Sequence, residues 1–520
     1  MSYTSAHRLG ITTSDVVTFD RCPWAWINSV AIDVRGGYPP PPMPNPMREH
    51  MARTADLHRE RVIRYLQQAH LAEAVDAEEN ISAQLSSHPA VLHPKWSWDD
   101  PHSPFTITAS SDVLIRNQRG EARLGVAKLG HSSMRRVLIS AAGGVEGLEC
   151  SSVLAEPVVD VFFGDGEVEP RDLDDSREEW RVLLSGMAAA LSRFEAGASL
   201  DWSAGEFDQC GRLGCQWCQD AIARHDDLFR IARIRLTQRQ EIRRRGINTL
   251  SAFAEASEQD LIRRIGTLTP DELRSLHTQA RVQFLSTEHP ESAPTIEVID
   301  QSVLEGLAPV REGDLYLDFE SDPGYVEWPH DAPFTPNASG PEAWLGLEYL
   351  IGVMESGSEL YRHWWSQSFS EEARRFREFL DELHLRHHND PDFRVFHYAP
   401  YEVNALSRLA ERHGYGSDIV ENLVEKGVLV DLYKVVMRSI AVGSPSYSLK
   451  KLEALYFSGT EREGITQGAD SVMAFTRYHE LVIAAKPESE SIRGDILEYN
   501  RVDCLSTKRL HQWLLSLART

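Results

Sequence analysis

The segment Asp314-Leu-Tyr-Leu-Asp-Phe-Glu-Ser-Asp322 constrains this chain more than any other. Its apolar–polar alternation predicts a strand. Leu315, Leu317 and Phe319 then face one side, and Tyr316, Asp318 and Glu320 the other. Two carboxylates about 7 Å apart on one face repel each other unless a cation sits between them or water screens them. An exposed strand face is the plain alternative.

Two later segments repeat the anomaly. Arg394-Val-Phe-His-Tyr398 reads as a strand, and Pro400 opens a helix. On that helix Glu402 lines up with Ala405, Leu406 and Leu409, at i, i+3, i+4 and i+7. A carboxylate heading an apolar stripe faces inward, although a first-turn Glu also suits the helix dipole. The last helix, from about Ile496 to Leu517, carries Asp503 at an interior position, with Tyr499 one turn earlier. An unpaired inward carboxylate is costly, and a divalent cation would compensate it.

Asp318-x-Glu320, a middle acid after a strand, and Tyr499-x-x-x-Asp503 on a late helix resemble the DEDDy 3′–5′ exonucleases of the RNase H-like fold. The resemblance spans roughly residues 305 to 520. The family's middle acid is usually Asp; Glu402 stands there in this chain, and Glu also binds divalent cations through oxygen. The resemblance implies hydrolysis of a phosphodiester with two Mg²⁺ or Mn²⁺. Asp318 would bridge them, Glu320, Glu402 and Asp503 would complete the set, and Tyr499 would orient the attacking water. Asp431 is expected to cap a helix or accept buried hydrogen bonds. Lys450 is expected on the surface, with substrate phosphate as the alternative. His384, His387 and His388 read as a polar helix end.

Three of the six cysteines form Cys210-x4-Cys215-x2-Cys218. Six in 520 residues is too sparse for a disulfide scaffold, so the cluster points to metal or redox chemistry. A tetrahedral site or a cubane cluster needs a fourth ligand. Cys22, in Phe19-Asp-Arg-Cys-Pro-Trp24, is the candidate; Cys150 and Cys504 are the alternatives. A lone Cys-Pro followed by a late Cys triplet resembles the iron–sulfur RecB-like nucleases, whose fold is the PD-(D/E)xK core. That resemblance covers about residues 8 to 228. It implies a 4Fe–4S cluster on Cys22, Cys210, Cys215 and Cys218, with Zn²⁺ as the alternative. It also places a second nuclease site at His58, Asp112 and Lys128. Ala127 occupies the position where that family carries an acid. The second site is therefore expected to be degenerate, weak or inactive as a nuclease and kept for substrate binding.

Between these regions, Phe229 to Gly246 carries seven arginines. Gly246-Ile-Asn-Thr-Leu-Ser-Ala-Phe-Ala and Asp260-Leu-Ile-Arg-Arg-Ile-Gly266 follow, and resemble a helix–hairpin–helix nucleic-acid-binding unit. Arg239, Arg243, Arg244 and Arg245 are the expected phosphate contacts. A solvated helix face is the alternative.

The expected architecture is mixed α/β in three parts. Residues 1–228 form the restriction-endonuclease-like domain, 229–300 a small helical module, and 301–520 the RNase H-like domain. Thr12 to Ser29 reads as one helix capped by Thr13 or Ser14, Phe105 to Ile115 as one strand, and the proline run 39–46 as an extended loop. The net charge, 54 − 78 = −24, excludes a protein that coats nucleic acid over its whole surface. Substrate must approach along a local positive path. No apolar run nears the ~18 residues of a membrane helix, and no secretion signal opens the chain, so a cytoplasmic protein is expected. No ATP-binding glycine loop is visible, so any helicase partner is a separate chain. The expected function is a metal-dependent 3′–5′ exonuclease on single-stranded DNA, in repair or processing. An RNA exonuclease and a catalytically silent nucleic-acid-binding scaffold are the alternatives.

Overall fold

A computed structural model describes residues 8–36, 39–40, 44–68, 75–76, 81–212, 214–288, 292–329, 331–358, 360–457 and 464–519. The chain divides into two compact units. The first comprises Met1–Pro44, Met51–His225 and Val326–Leu345, and the second Asn45–His50, Asp226–Tyr325 and Gly346–Thr520. Among the described residues no helix is long and apolar enough to cross a membrane.

In the first unit the expected N-terminal helix is two, Thr13–Arg21 and Pro23–Arg35. Pro23 has no N–H to continue the ladder, so the first helix ends and Cys22 caps the second. The first cap is Thr12 rather than Thr13 or Ser14. Its hydroxyl accepts from the Asp15 N–H (3.2 Å), and the Asp15 carboxylate accepts from the Thr12 N–H (2.7 Å). The expected strand over 105–115 is also two. Phe105–Ser110 belongs to a three-stranded sheet, and Val113–Arg116 to a six-stranded one. Ser111 and Asp112 make the crossing, and the Ser111 hydroxyl donates to the Gly125 carbonyl (2.9 Å). Ala122–Lys128 and Ala155–Phe163 pair in parallel within the larger sheet. Part of the proline run, 41–43, lies outside the described residues.

The second unit is built on a five-stranded sheet. Its strands are β1 (Leu315–Asp322), β2 (Leu347–Glu355), β3 (Tyr361–Trp365), β4 (Val395–His397) and β5 (Leu429–Asp431). The spatial order is β3-β2-β1-β4-β5. β1 is central, antiparallel to β2 and parallel to β4. Four helices matter for the site: α1 (Phe369–Asn389), α2 (Tyr401–His413), α3 (Gly468–Ile483) and α4 (Glu488–Leu517).

The alternation in β1 decides which helices cover which face. Leu315, Leu317 and Phe319 share a core with Phe376, Phe379 and Leu380 of α1 and with Leu406 and Leu409 of α2. Tyr316 shares the other core with Phe396 and with Val502, Leu505, Leu510 and Leu514 of α4. Asp318 and Glu320 therefore sit on the face that meets α4. The helices of residues 236–288 enclose their own core around Leu250, Phe253, Leu261, Leu273 and Leu276. They belong to the same unit as the five-stranded sheet. Pro270–Glu288 is the last of these helices, and residues 289–291 after it lie outside the described residues.

Candidate functional site

β1 and α4 bring three of the expected acids together. Asp318, Glu320 and Asp503 each offer a carboxylate oxygen, and these oxygens lie within 4.8 Å of one another. Glu320 and Asp503 are buried, and Asp318 half-buried. Three carboxylates so close cannot all stay ionised without a cation. Burial, then Asp503, Glu320 and Glu402, hold the Asp318 carboxyl well above its ordinary range. Burial, with Asp503, pushes Glu320 up to about 8. Hard oxygen donors at this spacing suit Mg²⁺ or Mn²⁺.

Asp318 is held by a residue that sequence reasoning misses. Asn500, fully buried on α4, donates from Nδ2 to Asp318 Oδ2 (2.8 Å), and its Oδ1 accepts from the Tyr361 hydroxyl (2.7 Å). The signal was present: an amide flanked by Tyr499 and Asp503 on an inward face needs partners.

Glu402 is buried at the start of α2, as its apolar stripe implied, but it is not one of the three clustered acids. Its Oε2 lies 3.3 Å from Nδ1 of buried His397, and that same Nδ1 donates to the Ala399 carbonyl at 2.8 Å. His397 Nε2 has no partner among the described residues. Asp431 caps a helix as expected, accepting from the Tyr433 N–H (2.9 Å) and also from the Ala399 N–H (3.1 Å).

Lys450 is not a bystander on the surface. Its ammonium donates to the Tyr499 hydroxyl, lies 4.4 Å from the centre of that ring, and also donates to the Thr466 carbonyl (2.6 Å). Its charge opposes the upward shift of both Asp318 and Glu320. Local sequence carries no sign of this, because Lys450, on the short helix Leu449–Leu452, is 49 residues from Tyr499.

Among the four expected phosphate-binding arginines, Arg239 is buried. It pairs through Nε and Nη2 with both oxygens of buried Asp227, at 2.7 and 2.6 Å, beneath the Phe229 ring. Its charge is consumed inside the helical region, so it is withdrawn from the expected path. Arg243 is half-buried, while Arg244 and Arg245 are exposed, with Arg244 paired to Glu241.

The expected N-terminal trio does not line one cleft together. His58 is fully buried, donates from Nε2 to the Phe162 carbonyl (2.8 Å), and packs beside Trp328 and Phe334. Burial lowers its pKa to about 4, so the ring is neutral at pH 7. Asp112 accepts from Arg59 Nε (2.7 Å) on one oxygen and from the Ala127 N–H (2.7 Å) on the other. Asp112 lines a cleft of about 530 Å³, whereas His58 and Lys128 do not.

The four expected cysteines do meet. Cys22 Sγ lies 3.6 Å and Cys210 Sγ 3.7 Å from Cys218 Sγ, and all four sulfurs, Cys215 included, lie within 4.8 Å of one another. Bonds of about 2.3 Å in a tetrahedron give ligand edges of about 3.8 Å. The spacing thus fits four thiolates on one ion. Cys504 is buried on α4 beside Asp503, and Cys150 is exposed at a helix end, so neither joins the cluster.

With this geometry in hand, comparison with known proteins gives one family match. Residues 339–515 match a model described as RNase_H superfamily. The C-terminal part of the chain is RNase H-like. The match begins after β1, so it includes Glu402, Tyr499 and Asp503 and leaves Asp318 and Glu320 outside. No curated protein and no solved structure matches the chain. A cluster of three acids, one of them inside this RNase H-like match, supports a nucleic-acid-processing role of the hydrolase type.

Proposed function

We propose that the C-terminal domain is a divalent-metal-dependent 3′–5′ exonuclease acting on single-stranded DNA. The reading rests above all on the convergence of Asp318, Glu320 and Asp503 within 4.8 Å. Bound Mg²⁺ or Mn²⁺ would stabilise the attacking and leaving oxygens of the phosphodiester. Asp318, Glu320 and Asp503 would hold the ions, with Glu402 joining directly or through water. Asn500 fixes the Asp318 carboxylate in one orientation. Lys450 donates to the Tyr499 oxygen and so positions the phenol that would orient the attacking water. The 3′–5′ direction follows from the Tyr499-x-x-x-Asp503 resemblance.

The N-terminal unit is read as a RecB-like PD-(D/E)xK domain that has lost metal catalysis, with Ala127 in place of the acid and Asp112 bound to Arg59. Its four cysteines are read as a structural metal site. Their spacing supports Zn²⁺ over a cubane, whose thiolates bind separate irons and stand further apart. Arg243, Arg244 and Arg245 are read as the local positive path that a chain of charge −24 requires.

The test is a Mn²⁺-dependent digestion of end-labelled DNA and RNA by the whole chain and by Asp318→Ala. The reading expects stepwise loss from the 3′ end of DNA, abolished by the substitution. Preference for RNA would move the substrate. Activity that survives Asp318→Ala would refute the assignment of the site.

A further inference from the structure

The cleft of the first unit contains more than a damaged nuclease site. Four ionisable side chains line it: Arg21, Arg59, Arg136 and Asp112. Three cations against one anion leave a net charge of +2. The anion is already spent, because one Asp112 oxygen accepts from Arg59 and the other from the Ala127 N–H. Arg59 thus neutralises the carboxylate that a metal would need, and Ala127 offers no second one. A divalent cation placed there would meet two further guanidinium groups and little to bind.

Arg21 and Arg136 differ from the arginines around them. The neighbouring Arg135 is clamped by Asp20 and Glu179. No described side chain forms an ion pair or hydrogen bond with the guanidinium of Arg21 or Arg136. Arg21 Nε is a buried donor with no acceptor among the described residues. Buried donors without partners are costly and call for a ligand. Guanidinium forks match the oxygens of a phosphate in both geometry and charge. A volume of about 530 Å³ admits a nucleotide-sized segment.

We infer that this cleft is a metal-independent phosphodiester-binding site, in which Arg21 and Arg136 grip the backbone of a nucleic-acid strand and Arg59 replaces the cation. A strand is the favoured occupant because the same chain carries an RNase H-like domain. The inference concerns the other unit and does not depend on the exonuclease assignment.

The experiment uses the full chain in EDTA with a labelled 12-nucleotide strand containing 4-thiothymidine. Cross-links should map to the peptides of Thr13–Arg21 and Met134–Cys150, which carry Arg21 and Arg136. Arg21→Ala/Arg136→Ala should abolish those cross-links, weaken binding at least about tenfold, and lower the salt slope by about 1.4, at ~0.7 per single-strand phosphate. Arg136 is exposed on its helix, so Arg136→Glu keeps the test valid if the double variant misfolds; it should reduce the same cross-links at least about fivefold. Cross-links that appear only with added Mn²⁺ would overturn the inference in favour of a metal site. Cross-links confined to other peptides, or competition by dAMP as strong as by the strand, would also overturn it.

Discussion

A side chain at Gly352 would place its Cβ 1.6 Å from Oδ1 of Asn500. Gly352 lies directly across the β1–β2 ladder from Asp318. The missing side chain is therefore the space that lets Asn500 reach Asp318 at 2.8 Å. The constraint is steric and local to one rung of the sheet.

Gly352→Ala should displace Asn500 and release Asp318. Overpacking of this kind costs about 1–3 kcal/mol. Mn²⁺-dependent hydrolysis should fall by about 10- to 100-fold, the range seen when a supporting partner of a metal ligand is removed. Asn500→Ala should lose activity similarly without the steric cost. Thermal melts and digestion rates on both variants check this; a folded Gly352→Ala protein with full activity would show that Asp318 needs no such anchor.

Glu320 makes stability depend on pH in an unusual direction. Unfolded, it loses its proton near 4.5; folded, it keeps it to about 8. Between those values the native state binds more protons than the unfolded state, so stability falls as pH rises. The melting temperature of the metal-free protein should drop from pH 5 to pH 8 more steeply than that of Glu320→Gln. Mn²⁺ replaces the protons, so its apparent affinity should rise over the same window. Matching pH profiles for wild type and Glu320→Gln would mean that Glu320 ionises normally.

Lys450 tests the role of Tyr499. Lys450→Met removes the donor from the Tyr499 oxygen and the charge that opposes proton retention at Asp318 and Glu320. The turnover number should fall by about 10- to 100-fold, at the lower end of what a positioned proton-handling group contributes. The rate profile should shift to higher pH, since the acids then hold their protons longer. Lys450→Arg should recover part of the loss. A change in KM alone would make Lys450 a substrate contact.

The cysteine site predicts a stoichiometric metal. Protein purified without oxygen should carry one zinc per chain and no absorption near 400 nm. Stoichiometric iron with a brown colour would instead establish the cubane. Cys210→Ser should release the metal and lower the melting temperature, because ion-binding energy is folding energy in such a site. The same substitution with unchanged metal content would exclude Cys210 as a ligand.

The alternation of β1 and the stripes of α2 and α4 were legible because strand and helix periods alone assign faces. They placed Asp318, Glu320, Glu402, Tyr499 and Asp503 inward; the four cysteines were grouped instead by their clustering and by what the resemblance to iron–sulfur RecB-like nucleases implied. What escaped was set by register and long-range packing. Only the pairing of β1 with β2 puts Gly352 opposite Asp318, and only the tertiary path of the chain brings Lys450 to Tyr499. The 12–29 segment misled because an apolar run hides a helix break that Pro23 and Cys22 impose. Arg239 misled because charge runs do not reveal which member is buried: Asp227, twelve residues away, decided it.

That last distinction is testable within a single arginine-rich segment. Arg239 and Asp227 are 3% and 2% exposed at their side chains and doubly bonded. Removing one partner leaves a buried charge, so Arg239→Ala should destabilise the protein by about 3–5 kcal/mol. Arg244 and Arg245 are exposed, and replacing them should change stability by less than about 0.5 kcal/mol. If the path runs over this face, the triple replacement of Arg243, Arg244 and Arg245 with Ala should weaken DNA binding. The salt slope should fall by about 0.7 for each phosphate that the variant no longer neutralises. Turnover at saturating substrate should hardly change, since the acids that hold the metals lie on β1 and α4. Denaturant melts separate the two classes of arginine, and binding titrations at several salt concentrations read the second. An unchanged salt slope in the triple variant would leave Arg244 and Arg245 as solvated surface, and the path would have to be sought elsewhere.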